Sequence, residues 1–142
     1  MKRILIAGAL LGTLLACTKQ ATDVTPVKTE PIMEVPYRHS ARLVETPLEA
    51  RISQIVDSRC PMNARCITAG SVVVTFALTG ENQQEEISVD LPAYTEQPAE
   101  KVFTVNGQRY RLKLHRVLPY PEAGSQPELT DYTVQFSIGK ES

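Results

Sequence analysis

The chain from about Tyr37 onward alternates apolar and polar positions with a period of two, not 3.6. Seven runs rich in β-branched and aromatic residues are bounded by Gly, Pro, Asn or Asp, as strands are. The runs are RLVE, LEARISQIV, SVVVTFAL, EISVDL, KVFTV, QRYRLKLHRVL and YTVQFSI. The pattern predicts an all-β domain over residues 37–142, a small antiparallel β-sandwich or open barrel of about seven strands.

The run QRYRLKLHRVL alternates most clearly, with one face predicted to be buried and the other in water. The buried face carries Tyr110, Leu112 and Leu114, and Val117 and Leu118 lie near its end. The opposite face is basic and carries Arg109, Arg111 and Lys113, with His115 or its neighbour Arg116. Such a stripe can bind a carboxylate or phosphate. It is also the ordinary charged surface of a strand, and charges of this kind protect a sheet edge from pairing.

Two further runs carry specific signals. Asn106–Gly107, between KVFTV and QRYRLKL, predicts a β-hairpin, because a type I′ turn needs positive φ at both central positions. The run SVVVTFAL is apolar nearly throughout and predicts a central strand covered on both faces.

The N-terminus has the form of a secretory signal. Lys2 and Arg3 precede an apolar run from Ile4 to Leu15, which is shorter than the roughly 20 residues of a membrane-spanning helix. The stretch LLAC, ending at Cys17, resembles the lipobox of bacterial lipoproteins. This resemblance implies cleavage after residue 16, lipidation of Cys17 and a stable anchor on a membrane surface. Thr18 stands where the family's inner-membrane retention signal has Asp, which favours an outer membrane facing the periplasm.

Residues 17–36 are predicted to be a flexible tether, since prolines, threonines and mixed charges offer little apolar surface to bury. Loss of Lys2 and Arg3 with the signal would change the net charge from −1 to −3. A mildly acidic chain lacks the basic face that a nucleic-acid partner requires. The predicted partners are therefore a membrane, through the lipid, and an envelope or protein ligand.

The densest stretch of the domain is DSRCPMNARCITAG, residues 57–70. In an oxidising compartment, Cys60 and Cys66 are expected to form a disulfide that fixes this connection between two strands. The block DSRCP, four residues, Cys, two residues and AG also resembles a signature of uncharacterised small bacterial lipoproteins and secreted proteins. Many of these have a tryptophan where this chain has Thr68. The resemblance implies no particular activity.

Other uses of this stretch stay open. A disulfide-braced loop over residues 60–66 that exposes Arg65 is compatible with a protease inhibitor, and Arg59 and Arg65 are candidate binding residues. Cys60 and Cys66 together with His39 and His115 would make a Cys₂His₂ metal set, although their spacing is not that of a known zinc module. A thiol enzyme would need a reduced cysteine beside a base.

No Ser-His-Asp arrangement with supporting context, identifiable carboxylate pair or Gly-rich phosphate loop is present in the sequence. The sequence therefore predicts no catalytic residues, no resident metal and no cofactor. It favours a lipid-anchored binding or envelope-structural module, with a protease inhibitor and a metal-binding periplasmic protein as alternatives.

Overall fold

The computed structural model describes residues 30–44 and 46–141. The predicted signal peptide, the predicted lipidation residue Cys17 and most of the predicted tether lie outside these residues. Within them the fold is all-β, as the alternation predicts.

In the described part of the chain, eight strands form two four-stranded antiparallel sheets that face each other as a sandwich. In chain order the strands are β1 (Met33–Pro36), β2 (Ser40–Arg42), β3 (Glu49–Asp57), β4 (Ser71–Thr79), β5 (Gln84–Pro92), β6 (Ala99–Val105), β7 (Gln108–Leu118) and β8 (Thr133–Lys140). One sheet has the order β1-β8-β7-β6, and the other has the order β2-β3-β4-β5. The chain therefore passes between the sheets after β1 and again after β5.

The core lies between the sheets and is made of the inward-facing residues of both. Phe76 of β4 and Phe136 of β8 meet edge to face across it, with ring centroids 4.9 Å apart. The largest fully buried side chains are Phe76, Phe136, Ile52, Leu78, Leu112, Leu114, Val72, Val74, Val105, Val117 and Val134. Because side chains alternate between the two faces of a strand, one face of each sheet is buried in this core.

Strand β4 is central in its sheet, as predicted, but only its inner face is fully covered. Val73 and Thr75, which point outward, are half-buried by neighbouring side chains of the same sheet. The prediction that both faces are covered is wrong here, because none of the described residues forms a second layer on the outer surface of this sheet.

The predicted tether extends too far into the chain. Met33–Pro36 pair with Phe136–Thr133 as the edge strand β1, so the fold begins before residue 37. Pro36 is tolerated there because an edge strand leaves one side of its backbone unpaired. The following strand also starts earlier than RLVE predicts, at Ser40, and ends at Arg42.

The hairpin between β6 and β7 is confirmed. Asn106 and Gly107 have φ of 50° and 74°, the values that a type I′ turn needs. A bulge between Leu114 and Arg116 then shifts the register of β7 against β8. This extra residue explains why Leu114 is buried, Arg116 exposed and Val117 buried again.

The sandwich has two different ends. The loop end carries the connections 58–70, 93–98 and 119–132, and the turn end carries the tight turns at 80–83 and 106–107. At the turn end the backbone N–H of Asn106 donates to Gln83 Oε1 at 3.0 Å, and the Glu30 carboxylate occupies the space over Gly139. The polypeptide preceding β1 therefore reaches the domain at the turn end, roughly 20 Å from the loop end along β8.

Candidate functional site

The connection 58–70 contains a disulfide, which we call the staple, and has hydrogen bonds to two other loops. Cys60 and Cys66 form the predicted disulfide, with Cα atoms 5.9 Å apart. The backbone N–H of Cys60 donates to Ala69 O at 2.8 Å, and that of Met62 donates to Pro121 O at 3.1 Å. The Tyr94 hydroxyl donates to Cys60 O at 3.2 Å. Hydrogen bonds from the backbone and from the Tyr94 side chain thus join the three loops of this end, whereas the disulfide closes only the connection 58–70.

Gly70 closes the connection where the chain enters β4. Its φ is +72°, and a Cβ built on it would lie 2.0 Å from the Ser58 carbonyl oxygen. Only glycine fits a position with both this backbone conformation and this close approach. The final Gly of the DSRCP…AG block therefore has a structural role.

An ion pair sits at the root of the connection. Arg59 Nε donates to Asp57 Oδ1 at 2.9 Å, and its Nη2 donates to Asp57 Oδ2 at 2.5 Å, so the ion pair is bidentate. The backbone N–H of Arg59 also donates to Asp57 Oδ1 at 3.0 Å. The two side chains are only 4% and 8% exposed, so the pair is shielded from water.

This pair links the two sheets. Arg59 Nη1 donates to Val117 O at 2.9 Å and Nη2 to Pro119 O at 3.1 Å, both at the end of β7 in the opposite sheet. The guanidinium lies over the Tyr120 ring, 4.4 Å from its centroid. The Tyr132 hydroxyl donates to Asp57 Oδ2 at 2.9 Å. We call Asp57, Arg59, Tyr120 and Tyr132 the loop-end clamp.

The clamp shifts the ionisation of its own members. Burial raises the pKa of the Asp57 carboxyl, but the hydrogen bonds and charge of Arg59 outweigh it, so the pKa lies below its usual 3.8. Burial, followed by the hydrogen bond to Asp57, raises the pKa of Tyr132 to about 12. Burial is also the main cause that raises the pKa of Tyr120 to about 12. The folded state thus favours an ionised Asp57 and two neutral tyrosines.

A cleft of about 450 Å³, open to solvent, lies beside the clamp. It runs between the stapled connection and the Pro-rich segment 121–132. Its walls are Ile55, Asp57, Ser58, Arg59, Cys60, Pro61, Cys66, Thr68, Pro121, Gln126, Pro127, Leu129 and Tyr132. The lining mixes apolar and polar groups, with slightly more polar than apolar surface exposed, and the volume lies within the usual range for ligand sites, toward its lower end.

Exposed apolar side chains belong to the same end. Ile67 is fully exposed, Met62 is 60% exposed and Leu129 is 47% exposed, and Tyr94 is 63% exposed on the neighbouring loop. Scattered apolar residues need no special explanation, but several on the loops of one end, with Leu129 lining the cleft itself, indicate a surface suited to binding.

The two candidate binding arginines of the connection 58–70 lie in different environments. Arg65 is exposed on the stapled loop. Arg59 is buried, and Asp57, Val117 and Pro119 bond its guanidinium, so the interpretation of Arg59 as a ligand-binding side chain is wrong. Its role in the fold is structural.

The predicted basic stripe on β7 exists, but acidic neighbours partly neutralise it. Arg111 bonds Glu100 at 2.6 Å and also pairs with Glu141, while Arg109 pairs with Glu141 at 3.0 Å. Lys113 lies 4.0 Å from Glu100. The geometry therefore favours the ordinary charged strand surface over a site for a carboxylate or phosphate.

The residues of the alternative metal set do not converge. Both thiols are consumed in the disulfide. His39 Nδ1 lies 3.1 Å from Tyr37 O, and His115 Nε2 lies 3.0 Å from Ser137 Oγ. Residues 30–44 and 46–141 contain no group of three or more His, Cys, Asp or Glu side chains placed to hold a metal ion.

The His115–Ser137 contact could not be predicted from the sequence, because the two residues lie on different strands. Ser137 is 2% exposed, so its hydroxyl is closed to a substrate. Desolvation, followed by the charge of Lys113, lowers the pKa of His115. This pair is therefore a hydrogen bond on the sheet surface and not an accessible nucleophile with its base.

No family model, curated protein or solved structure matches the chain. Among the described residues, no helix has the length and apolar character needed to cross a membrane. What the loop end can do is therefore inferred from its geometry and chemistry.

Replacing Arg59 with Met is expected to lower the free energy of unfolding by about 3–5 kcal/mol, because it leaves the buried Asp57 carboxylate without its cation. Urea denaturation measures the change. Arg65→Met, at an exposed position of the same loop, is the matched control and is expected to cost at most about 0.5 kcal/mol. Equal effects of the two substitutions would contradict the clamp.

Stability is expected to fall as the pH rises from about 10 to about 12. The raised pKa of Tyr132 contributes stability that is fully present below the unfolded value of 10.0 and is lost as the pH approaches 12. Tyr132→Phe should be less stable than the parent at pH 8 but should lose less stability over this interval. Tyrosinate absorbance can follow the ionisation cleanly, since the chain has no tryptophan. A parent whose tyrosines all ionise near pH 10 while folded would contradict this prediction.

Proposed function

We propose that this protein is a lipid-anchored binding module of a bacterial cell envelope, and that the loop end is its binding surface. The observation that carries the proposal is the open cleft lined in part by exposed Leu129, with exposed Met62 and Ile67 on the stapled loop that forms its other wall. The clamp beneath it supplies a rigid support, which lowers the entropic cost of holding a ligand.

The position of the N-terminal polypeptide supports this assignment. Anchoring at Cys17 is predicted from the sequence, and the chain that follows Cys17 enters the fold at the turn end, beside Gly139. The cleft lies at the other end. A domain held in this way presents the cleft away from the anchored end, where a partner in the periplasm can reach it.

A protease inhibitor is supported less well by the local geometry. Arg65 is exposed on a covalently closed loop, as an inhibitor requires. However, the Ala64 N–H donates to Pro61 O at 3.1 Å, so the chain just before Arg65 turns back instead of running extended into a protease cleft. The cleft beside this loop also plays no part in that function.

Site-specific photo-cross-linking in a bacterial host that makes the protein tests the proposal. A benzoylphenylalanine at position 67, on the loop end, is expected to give a discrete adduct with a partner. The same residue at position 82, exposed on the turn end, is the control and should give none. Cys17→Ala, made with an ordinary cleavable secretory signal in place of residues 1–16, should release the protein from the membrane fraction and reduce the adduct.

Absence of an adduct at position 67, or identical adducts at both positions, would contradict the loop end as the binding surface. Membrane association unchanged by Cys17→Ala would contradict the lipid anchor. The two parts of the proposal can therefore fail separately.

A further inference from the structure

The lining of the cleft offers both apolar and polar contacts but no unpaired charge. Ile55, Pro61, Pro121 and Leu129 supply hydrocarbon surface, and Asp57 and Arg59 are the ionic groups among the lining residues. These two charges neutralise each other in the bidentate ion pair and are shielded from water. An anionic ligand would therefore find no unpaired cation among the lining residues, whereas an apolar side chain would be removed from water against Ile55, Pro61, Pro121 and Leu129.

The segment 119–132 forms one wall of the cleft, and we call its exposed charged residues the rim. The segment 119–132 contains Glu122, Glu128 and Asp131, all exposed, and contains no lysine or arginine. Within residues 30–44 and 46–141, no ion pair involves any of these three carboxylates. The Asp131 carboxylate accepts the Glu128 N–H at 2.9 Å, which fixes its position on the rim. This wall attracts positive charge.

The apolar surface extends beyond the cleft itself. Met62 and Ile67 lie exposed on the stapled loop, while the cleft has about 450 Å³ and is open to solvent. A small molecule held in the cleft would leave these side chains in water. A polypeptide can place one side chain in the cleft and cover the neighbouring apolar residues with the rest of its length, as anchor residues do at protein interfaces.

From these features we infer that the ligand of the loop end is a segment of a partner protein in which a bulky apolar side chain stands beside basic residues. The apolar side chain enters the cleft, and the basic side chains face Glu122, Glu128 and Asp131. This inference rests on the proposed function, because it assumes that the loop end is the binding surface.

Selection from a phage-displayed library of random twelve-residue peptides tests the ligand class. The bait is the full chain, with neutral phosphatidylcholine nanodiscs present to receive its anchor. We expect the selected peptides to share an aromatic or large aliphatic residue flanked by Lys or Arg. Thr68→Trp, which places an indole at the wall of the cleft, should abolish their binding, and Asn82→Trp at the turn end should not.

Charge variants test the rim with a matched control. Glu122→Gln, Glu128→Gln and Asp131→Asn together remove three negative charges while keeping hydrogen-bond acceptors. They are expected to weaken a selected peptide about tenfold at low ionic strength. The control replaces Glu81, Glu85 and Glu86 with Gln, which removes the same charge near the turn end, and should change the affinity less than about twofold.

Each other outcome identifies which idea fails. Acidic or uncharged peptides that Thr68→Trp blocks would overturn the basic ligand class and leave the loop end as the binding surface. Peptides that Thr68→Trp does not block, or no selected peptides at all, would overturn the inference. In that case the cross-link at position 67 decides separately whether the proposed function stands.

Discussion

The loop end depends on one buried ion pair, Asp57 with Arg59. Asp57 is the last residue of β3 in one sheet, and Arg59 reaches across to the Val117 and Pro119 carbonyls at the end of β7 in the other. A buried carboxylate and a buried guanidinium each carry a desolvation cost of several kcal/mol, so the pair is tolerated only because its geometry satisfies both groups. The same contacts place the walls of the cleft, since Asp57 and Arg59 line it.

The clamp contributes more to the stability of the loop end than the disulfide does. Closing a ring of about seven residues stabilises a domain by roughly 2 kcal/mol on the chain-entropy model. Breaking a buried ion pair by removing one partner costs about 3–5 kcal/mol. The staple constrains only residues 60–66, whereas the clamp joins β3 to the β7–β8 region. The stapled loop also has hydrogen bonds to Ala69, Pro121 and Tyr94 that do not involve sulfur.

Local patterns in the sequence are sufficient to predict most of the fold but little of the candidate site. The period of two in QRYRLKL, the Asn106–Gly107 turn and the Cys60–Cys66 spacing each depend on neighbouring residues, and the structure confirms all three. Strand β1 was missed because its apolar positions, Met33 and Val35, are few and stand among prolines. The clamp could not be predicted, because Tyr120 and Tyr132 lie more than 60 residues from Arg59. From the sequence alone, an arginine in a loop is expected to be exposed to solvent, because partners distant in the sequence cannot be identified.

Native-state hydrogen exchange of the Cys60 and Met62 amides tests most directly whether the clamp holds the loop end. These N–H groups donate to Ala69 O and Pro121 O, one within the stapled connection and one to the neighbouring loop. The account predicts that most of their protection survives in the Cys60→Ser, Cys66→Ser double variant and is lost in Arg59→Met. Protection that disappears with the disulfide and persists without Arg59 would contradict it.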